Sequence, residues 1–419
     1  MSLKSKISPT SPWRIILPTG IGTAFSLVGD SALYTVLPTH TAVAGVALVS
    51  VGVLLSANRF IRLLANPVAG WVSDRRAKRT VFVLSLFLGA FSTAVYGLTT
   101  GFWPLLIGRL LWGIAWSGIW VAGNGLILES APVADRGHWV GRYHLFFFLG
   151  AALGAYLGGY LSDRFGFNQA MQVATLLGLA GALIAWLLLP SSRQPVIIEE
   201  DPPEEDQQQT SPDQRRKTRW GELLSASAVT GVNRLVVAGI LTSTFALFLK
   251  AMLGDSIEIG DRLVGVSTVT GLLVGTRILL GMLFTPLLGS LSDRAANRWR
   301  VVAGGLLPGI AGFMLLAVNL PLAMLLGLPL TAITGSSNQV LSTALIGDLG
   351  QRQRHGRYLG LLYTIGDLGS AIGPPLAFAL LPIWGISGLY WLNAFLFALL
   401  LLVSLRWVRK RRTINALQE

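Results

Sequence analysis

The sequence predicts an all-α integral membrane protein in which twelve transmembrane helices form two pseudo-symmetric six-helix bundles. Three observations predict this fold class: a low charge content, apolar runs long enough to cross a bilayer, and an internal repeat. Of the 419 residues, 52% are hydrophobic and 13% are charged, whereas soluble domains carry about 25% charged residues. A helix needs about 20 apolar residues to cross ~30 Å of hydrocarbon, and helical structure is what satisfies its backbone there.

Twelve apolar spans follow one another, and a polar segment separates the first six from the last six. The first six comprise residues 15–37, 41–67, 81–98, 104–128, 140–161 and 170–189. The last six comprise residues 235–253, 263–288, 301–320, 321–346, 358–381 and 387–405. The polar segment is rich in acids, glutamines and prolines, a composition that cannot bury enough apolar surface to fold by itself. We therefore expect an N-terminal bundle (1–190), a cytoplasmic linker (191–232), a C-terminal bundle (233–407) and a cytoplasmic tail (408–419).

The basic residues predict the orientation of the chain in the membrane. The formal net charge is +13, and most of the 33 Lys and Arg residues fall in loops on one side of the predicted spans. Because cytoplasmic loops are enriched in Lys and Arg, we expect a multi-pass protein of the plasma (inner) membrane with both termini in the cytoplasm. The same bias accounts for the positive charge without nucleic-acid binding.

The composition argues against an enzyme. The chain has no cysteine and only four histidines, which are scattered, so thiol catalysis is excluded and no metal site is expected. No nucleotide-binding loop and no catalytic-triad spacing is present. We expect no catalytic residue, no bound metal and no cofactor, with a proton gradient as the source of energy.

The two halves of the chain repeat each other at a fixed separation. Gly70 and Gly289 are 219 positions apart, and the same offset relates other matching residues along about 85 positions. These matches include Asp74 with Asp293, Arg75 with Arg294, Gly150 with Gly369 and Gly154 with Gly373. Two parallel six-helix repeats are the architecture of one large group of transporters.

The loop after the second span carries the sharpest motif, Gly70-Trp71-Val72-Ser73-Asp74-Arg75-Arg76-Ala77-Lys78-Arg79. It resembles the G-x-L-[AS]-D-R-x-G-R-[RK] signature of the major facilitator superfamily, with Ala77 in place of the second glycine. A weaker copy begins at Gly289 and ends at Arg298. The resemblance covers essentially the whole chain. It implies alternating access between two bundles, with Gly70, Asp74 and Arg75 and their partners Gly289, Asp293 and Arg294 acting in gating.

Two further elements resemble branches of this family. Arg109 opens an R-x-x-x-G element on the fourth helix that is common in proton-coupled members. On the fifth helix, Gly150-x-x-x-Gly154-Ala155-x-x-Gly158 resembles an exporter signature, although Ala155 replaces its proline. Small residues four positions apart also let helices pack closely, so helix packing is the alternative interpretation of this stripe.

Ionisable residues inside the spans are functional candidates because each costs roughly 2.5–3.5 kcal/mol to insert. At 1.5 Å of rise per residue, Asp30 on the first helix and Arg109 on the fourth lie at a similar depth. The resemblance implies that both helices line the central cavity. We predict that Asp30 and Arg109 couple proton movement to transport, with a static ion pair as the alternative.

A second charged set lies on helices that pack between the halves in the family fold. Arg59 and Arg62 are on the second helix, and Asp367 is near mid-depth of the eleventh. We predict that Asp367 pairs with Arg59 or Arg62, either as a permanent interface bond or as one that breaks when the halves rock.

The remaining candidates form a predicted substrate cavity: Trp116, Trp120, Arg277, Asn338 and Gln339. The tryptophans share a helical face with Arg109, and packing is the alternative for them. The deep acids, Asp30 and Asp367, are outnumbered by Arg59, Arg62, Arg109 and Arg277. Because an unpaired buried cation is costly, this surplus of two positive charges favours an anionic or zwitterionic ligand.

These observations predict a secondary active transporter of small organic solutes, with proton-coupled efflux as the main hypothesis. An anionic-metabolite uniporter, symporter or exchanger is the alternative, and a non-transporting receptor on the same scaffold is a third. The expected partners are a small-molecule substrate and the lipid bilayer, with the chain acting as a monomer.

Overall fold

The computed structural model describes residues 12–132, 135–190, 212–295, 297–349 and 355–416. Six long helices make up the first half of the chain. They are α1 (Trp13–Val36), α2 (Leu48–Arg75), α3 (Lys78–Leu98), α4 (Phe102–Ser130), α5 (Arg136–Phe165) and α6 (Phe167–Leu188). A short helical turn, Thr41–Ala44, precedes α2.

Six more helices make up the second half. The first, α7, is continuous through three segments: Pro212–Asn233, the π-helical Arg234–Leu241, and Thr242–Leu253. A two-stranded antiparallel hairpin follows, with β1 (Ser256–Ile259) and β2 (Arg262–Gly265). Then come α8 (Val266–Arg294), α9 (Arg298–Ala317) and α10 (Pro321–Leu349). The helical stretch His355–Ala416 is divided at Gly385, where φ is 64° and ψ is −179°, into α11 (355–384) and α12 (386–416).

The predicted fold class is confirmed. In the described part of the chain, ten helical stretches are long and apolar enough to cross a membrane, and the last of them, Gly360–Lys410, contains both α11 and α12. The 29-residue α10 completes the set of twelve; serines, threonines and amides interrupt its apolar residues. The hairpin is the one described departure from an all-helical chain.

Several helices extend beyond the predicted spans. Helix α2 continues to Arg75, because a helix leaving the hydrocarbon keeps its internal hydrogen bonds until a terminating residue. Helix α7 begins at Pro212, inside the predicted linker 191–232, and buries Leu223, Ala226 and Val229 in the core. The linker boundary at 232 is therefore corrected. The acidic part of that linker, residues 191–211, lies outside the described residues, as do 1–11 and 417–419.

Glycines set the closest helix contacts within each half. A Cβ at Gly150 or Gly154 of α5 would collide with the backbone of Ala24 or Val28 in α1, and Gly369 and Gly373 of α11 meet α7 in the same way. The glycine stripe of α5 thus packs α5 against α1. On α7, the residues that the α11 glycines meet are Gly231 and Gly239. The repeat offset would predict a different residue, since 219 positions after Val28 comes Leu247. The repeat offset therefore does not extend into α7, and it already fails at Gly231, before the π-helical segment.

The two halves meet mainly along two helix pairs, α5 with α8 and α2 with α11. We call the face of the molecule at which α2 and α8 end, with Arg75 and Arg294, the cationic face, and the other the opposite face. Near the opposite face, a Cβ at Gly159 would collide with the Ser267 carbonyl, and one at Gly271 with the Ala155 carbonyl. The bundles are therefore closed together at that face.

The helix ends at the cationic face are not packed in this way. A Cβ at Gly70, Gly141 or Gly360 would have no described heavy atom within 4 Å outside its own helix. The molecule is therefore closed at the opposite face and open between the bundles at the cationic face.

Candidate coupling and substrate site

An ion pair between α1 and α4 lies in the interior of the first bundle. Arg109 Nη1 donates to Asp30 Oδ1 at 2.5 Å, its Nε donates to the Leu54 carbonyl at 3.1 Å, and Nη2 donates to the Tyr34 hydroxyl at 3.0 Å. The Arg109 side chain is 0% exposed and that of Asp30 is 17% exposed. The guanidinium is thus fixed in the protein, while the carboxylate keeps some exposed surface.

Tyr34 connects this pair to the interface between the halves. Its hydroxyl donates to the Leu55 carbonyl at 2.5 Å, and its ring lies 5.0 Å from the Arg109 guanidinium and 4.9 Å from that of Arg59. Two cations on one aromatic ring are stabilised by its quadrupole. Sequence reasoning missed Tyr34, although its position one helical turn after Asp30 was an available signal.

The structure brings Asp367 of α11 against Arg62 of α2. Arg62 Nη2 lies 2.8 Å from Asp367 Oδ1 and 2.9 Å from Oδ2. Arg59, one turn away, reaches across the interface to backbone instead: its Nη1 donates to the Ala238 carbonyl at 3.0 Å and to the Ser370 carbonyl at 2.6 Å. Both arginines therefore link the two halves.

Arg234 is a further member of this cluster that the sequence prediction left outside the membrane. It begins the π-helical segment of α7, and its Nη1 lies 3.5 Å from Asp367 Oδ1. The predicted seventh span began one residue later, because the preceding residues are polar. Adding Arg234 gives five deep arginines against two acids, so the described surplus is three positive charges, where the sequence suggested two.

Arg277 of α8 forms no ion pair and no hydrogen bond with a residue that the structure describes. Helical periodicity puts it on the same face of α8 as Thr270 and Val274, which line a pocket between the halves. Gly281, one turn further along this face, approaches Ser336 of α10. The half-exposed guanidinium therefore lies on the face of α8 that is turned towards the centre of the molecule.

The pocket next to Arg277 is formed by both bundles and is rich in hydroxyl groups. Its walls come from α1, α5, α7 and α8. The hydroxyl-bearing residues are Ser31, Tyr34, Thr35, Thr242 and Thr270, and the apolar ones are Ala155, Ala246, Val274 and Ile278. Since Tyr34 also binds Arg109, a solute in this pocket would contact a residue that holds the Asp30–Arg109 pair.

The tryptophans of α4 form a stacked column. Ring centroids are 6.0 Å apart between Trp112 and Trp116 and 5.6 Å apart between Trp116 and Trp120. Trp116 is only 7% exposed and packs on Phe147, so its assignment to the cavity wall is corrected to a core position. Trp120 is half-buried and stacks on His144 at 5.1 Å, and it alone of the three retains exposed surface.

The polar residues of α10 also divide between core and surface. Gln339 is exposed, whereas Asn338 is fully buried and its amide atoms have no hydrogen-bond partner among the described residues. Thr334 donates to the Gly305 carbonyl at 2.8 Å. Asn338 is therefore not on the cavity surface in this conformation, because neighbouring positions on a helix point about 100° apart.

The signature loops lie apart from each other at the cationic face. Asp74 forms no ion pair with any described residue, and Arg75 stacks over Trp71 at 4.2 Å. Asp293 pairs with Arg298 of its own half at 2.8 Å, and Arg294 is exposed. Gly289 approaches only Val340, also in its own half. Among the described residues, neither Asp74 nor Asp293 forms an ion pair with the other bundle.

This arrangement defines a class of protein. Twelve membrane-crossing helices in two bundles, closed at one face and open at the other around a polar interior, form a membrane transporter. A sequence model described as Major Facilitator Superfamily matches residues 19–260 and 236–418. The chain belongs to the major facilitator superfamily.

Individual relatives and solved structures resemble the chain at low sequence identity. The chain is 22% identical to Multidrug resistance protein MdtG of Escherichia fergusonii over 362 residues, which is 86% of this chain and 85% of the relative. A bacterial homologue of the human lysosomal transporter Spinster, inward-facing and occupied, superposes with a TM-score of 0.77 at 16% identity over 96% of this chain and 98% of that one. The human organic anion transporter MFSD10 (TETRAN) gives 0.63 at 19% identity, over 94% and 100%.

Proposed function

We propose that this protein is a proton-coupled exporter of small organic compounds that works by alternating access, with Asp30 and Arg109 as the coupling pair. The observation that carries the proposal is the asymmetry of the pair: the arginine is fully buried and held by several protein oxygens, whereas the carboxylate keeps some exposed surface. A carboxylate that can exchange a proton beside a fixed cation changes the local charge by one unit. The multidrug-resistance names of the relatives support export.

In this mechanism, protonation of Asp30 breaks its ion pair with Arg109 and leaves that arginine bonded to Tyr34 and the Leu54 carbonyl. Tyr34 lines the pocket between the halves, so the change reaches the place where a substrate would lie. The proton and the substrate would then use neighbouring sites in turn, which is the requirement for antiport.

The experiment is transport by Asp30→Asn in proteoliposomes with an imposed pH gradient, using ethidium and 2-naphthoate as test solutes. Asparagine has nearly the same shape as aspartate, but its side chain is neutral and cannot take up and release a proton. We expect gradient-driven flux to fall by at least tenfold while solute exchange without a gradient persists. Glu258→Gln, an exposed change in β1, is the matched control. Undiminished gradient-driven flux in Asp30→Asn would exclude Asp30 as the coupling group.

A second candidate is co-transport of an organic anion with a proton, and Arg277 is the observation that favours it. During alternating access the cavity must close to water, and a desolvated guanidinium without a counter-charge is strongly unfavourable. An anionic solute would supply that charge. In co-transport, protonation of Asp30 would add to the positive surplus and strengthen anion binding. In antiport, by contrast, the proton and the solute must compete for binding.

The sign of the linkage between pH and affinity separates the two candidates. Binding of 2-naphthoate and of 2-naphthylmethylamine, which share a ring system and differ in charge, would be measured by the shift in thermal unfolding midpoint at several pH values. Co-transport predicts tighter naphthoate binding at low pH, and about ten- to a hundredfold weaker binding in Arg277→Gln. Antiport predicts weaker solute binding at low pH. Arg262→Gln, an exposed change in the hairpin, is the control.

We also propose that the protein lies in the inner membrane with the cationic face and both termini in the cytoplasm, and that the bundles are 1–190 and 233–407 joined by a cytoplasmic linker. The distribution of basic residues supports this orientation. Reporter fusions to the two termini, whose activity depends on the side of the membrane, test it.

A further inference from the structure

A hydrogen-bonded contact at the opposite face joins the end of α5 to the start of α8. Asp163 belongs to the segment Gly159–Gly166, near the end of α5. Its Oδ2 accepts a hydrogen bond from the Thr268 backbone N–H at 2.6 Å and another from the Thr268 hydroxyl at 2.7 Å. Asp163 lies in the first half of the chain and Thr268 in the second, so this carboxylate links the two bundles.

The contact replaces a helix cap that α8 lacks. Gly265 is the N-cap residue of α8 and provides no side-chain hydrogen bond. The first N–H groups of a helix have no partner within the helix, and Ser, Thr, Asp or Asn at the N-cap normally satisfies them. Asp163 does so from the other bundle, and its negative charge lies at the positive end of the α8 dipole.

The sequence around this contact is fitted to it. A Cβ at Gly265 would collide with the Asp163 carboxylate, although the backbone of Gly265 has φ −67° and ψ 150°, which any residue can adopt. Glycine at the N-cap therefore makes room for the carboxylate of the other half. Below it, Gly159 and Gly271 allow α5 and α8 to approach closely.

We propose that Asp163 is a latch that holds the opposite face closed and so sets the conformation that the empty transporter adopts. When α5 and α8 separate, the Asp163 carboxylate loses its hydrogen bonds from the Thr268 N–H and hydroxyl, and these two donors lose their acceptor. The latch therefore favours the state that is open at the cationic face. This inference concerns the conformational cycle, and it does not depend on the coupling ion or the solute.

The test measures the distance between bundles at both faces by double electron–electron resonance in lipid nanodiscs. The chain has no cysteine, so spin labels report only from the chosen sites. One pair of exposed positions, Trp103→Cys and Leu322→Cys, reports on the opposite face, and another, Leu128→Cys and Leu291→Cys, on the cationic face. Asp163→Ala and Asp163→Asn are compared with Asp261→Asn, an exposed change in the neighbouring hairpin.

We expect the two Asp163 variants to lengthen the distance at the opposite face and shorten it at the cationic face. The ratio of closed to open molecules at the opposite face should fall by about 2- to 30-fold, the range corresponding to loss of a helix cap. Asp261→Asn should leave both distances as in the parent. Unchanged distances in Asp163→Ala would overturn the proposal, and so would lengthening at both faces, which signifies general loosening.

A second variant separates the latch from simple capping of α8. Gly265→Ser in the Asp163→Ala background gives α8 an N-cap of its own and should restore the thermal unfolding midpoint without restoring the distances. Return of the distances with Gly265→Ser would show that only the stability of α8 mattered and would refute the latch. Gly265→Ala in the parent, which displaces the carboxylate while leaving Asp163 in place, should open the opposite face as Asp163→Ala does.

Discussion

Arg109 shows how a charged residue is tolerated in the interior of this protein. Four oxygens surround its guanidinium: the Asp30 carboxylate, the Tyr34 hydroxyl and the carbonyls of Leu54 and Leu55. Asp30 is the charged partner among them. If Asp30 exchanges a proton as we propose, the arginine is the fixed part of the pair and Asp30 the variable part, which is the arrangement that a proton-sensitive switch requires.

Arg62 and Asp367 give a prediction at the same scale. Removing one member of a buried ion pair leaves the other uncompensated, at a cost of about 3–5 kcal/mol; here the side chains retain some exposure, 18% and 9%, so we expect the lower part of that range. Arg62→Asp and Asp367→Arg should each lower the thermal unfolding midpoint and transport. The double exchange should recover most of both losses, since it restores a carboxylate opposite a guanidinium.

Arg234 provides the control for this exchange. Arg234 also lies near Asp367, so Arg234→Gln should weaken the cluster less than a change at Arg62, whose nitrogen is closer to both carboxylate oxygens. A double exchange no more stable than the worse single variant would show that the pair makes no net contribution.

At the scale of elements, the contact between α1 and α5 depends on glycine. A Cβ at Gly154 would lie 2.7 Å from Val28 Cα, whereas one at Gly141, on the same helix, would meet nothing described within 4 Å. Gly154→Ala should therefore destabilise the protein by about 1–3 kcal/mol, the usual cost of overpacking. Gly141→Ala should be neutral or slightly stabilising, because alanine is the better helix former. Thermal unfolding in detergent compares the two.

Equal midpoints for Gly154→Ala and Gly141→Ala would show that α1 and α5 can move apart without loss of stability. In that case the glycine stripe would have another role, such as the exporter function that its resemblance implies.

The helix α7 differs from α1 by more than its side chains. Its π-helical segment, Arg234–Leu241, lies where Arg59 of the other half bonds to the Ala238 carbonyl. Single π-helical segments inside α-helices often mark functional sites. This one is bonded to the other bundle through the Ala238 carbonyl. Helix α1 is α-helical from Trp13 to Val36 and has no such segment.

At the scale of the whole molecule, the contacts between bundles are distributed unequally with depth. The Asp163–Thr268 contact lies at the opposite face, and the Arg59 and Arg62 bonds lie near the middle of α2. At the cationic face, the signature loop with Asp74 is bonded to its own half, through Lys78 to Glu129 and through Arg79 to the Trp186 and Leu189 carbonyls. Because the bundles are joined near the middle and at the opposite face, they are apart at the cationic face. In the proposed alternating-access cycle, the alternate state therefore requires loss of the Asp163 contact and approach of the two signature loops.

The sequence by itself determined the number of helices, their division into two bundles and the residues whose charge would be costly in lipid. Each of these depends on local properties: the length of an apolar run, a repeated motif, and the chemistry of a single side chain. Asp30, Arg109, Arg62 and Asp367 were identifiable because a charge in hydrocarbon must be compensated wherever the fold puts it.

Only the tertiary structure decided which oxygens hold each arginine, that Arg234 joins the Asp367 cluster, and that Trp116 and Asn338 are buried. It also showed that Asp163 completes α8 from the other half. These facts depend on the rotation and register of one helix against another. The offset that relates the halves elsewhere fails in α7, and contacts between residues far apart in the chain cannot be read from either segment alone.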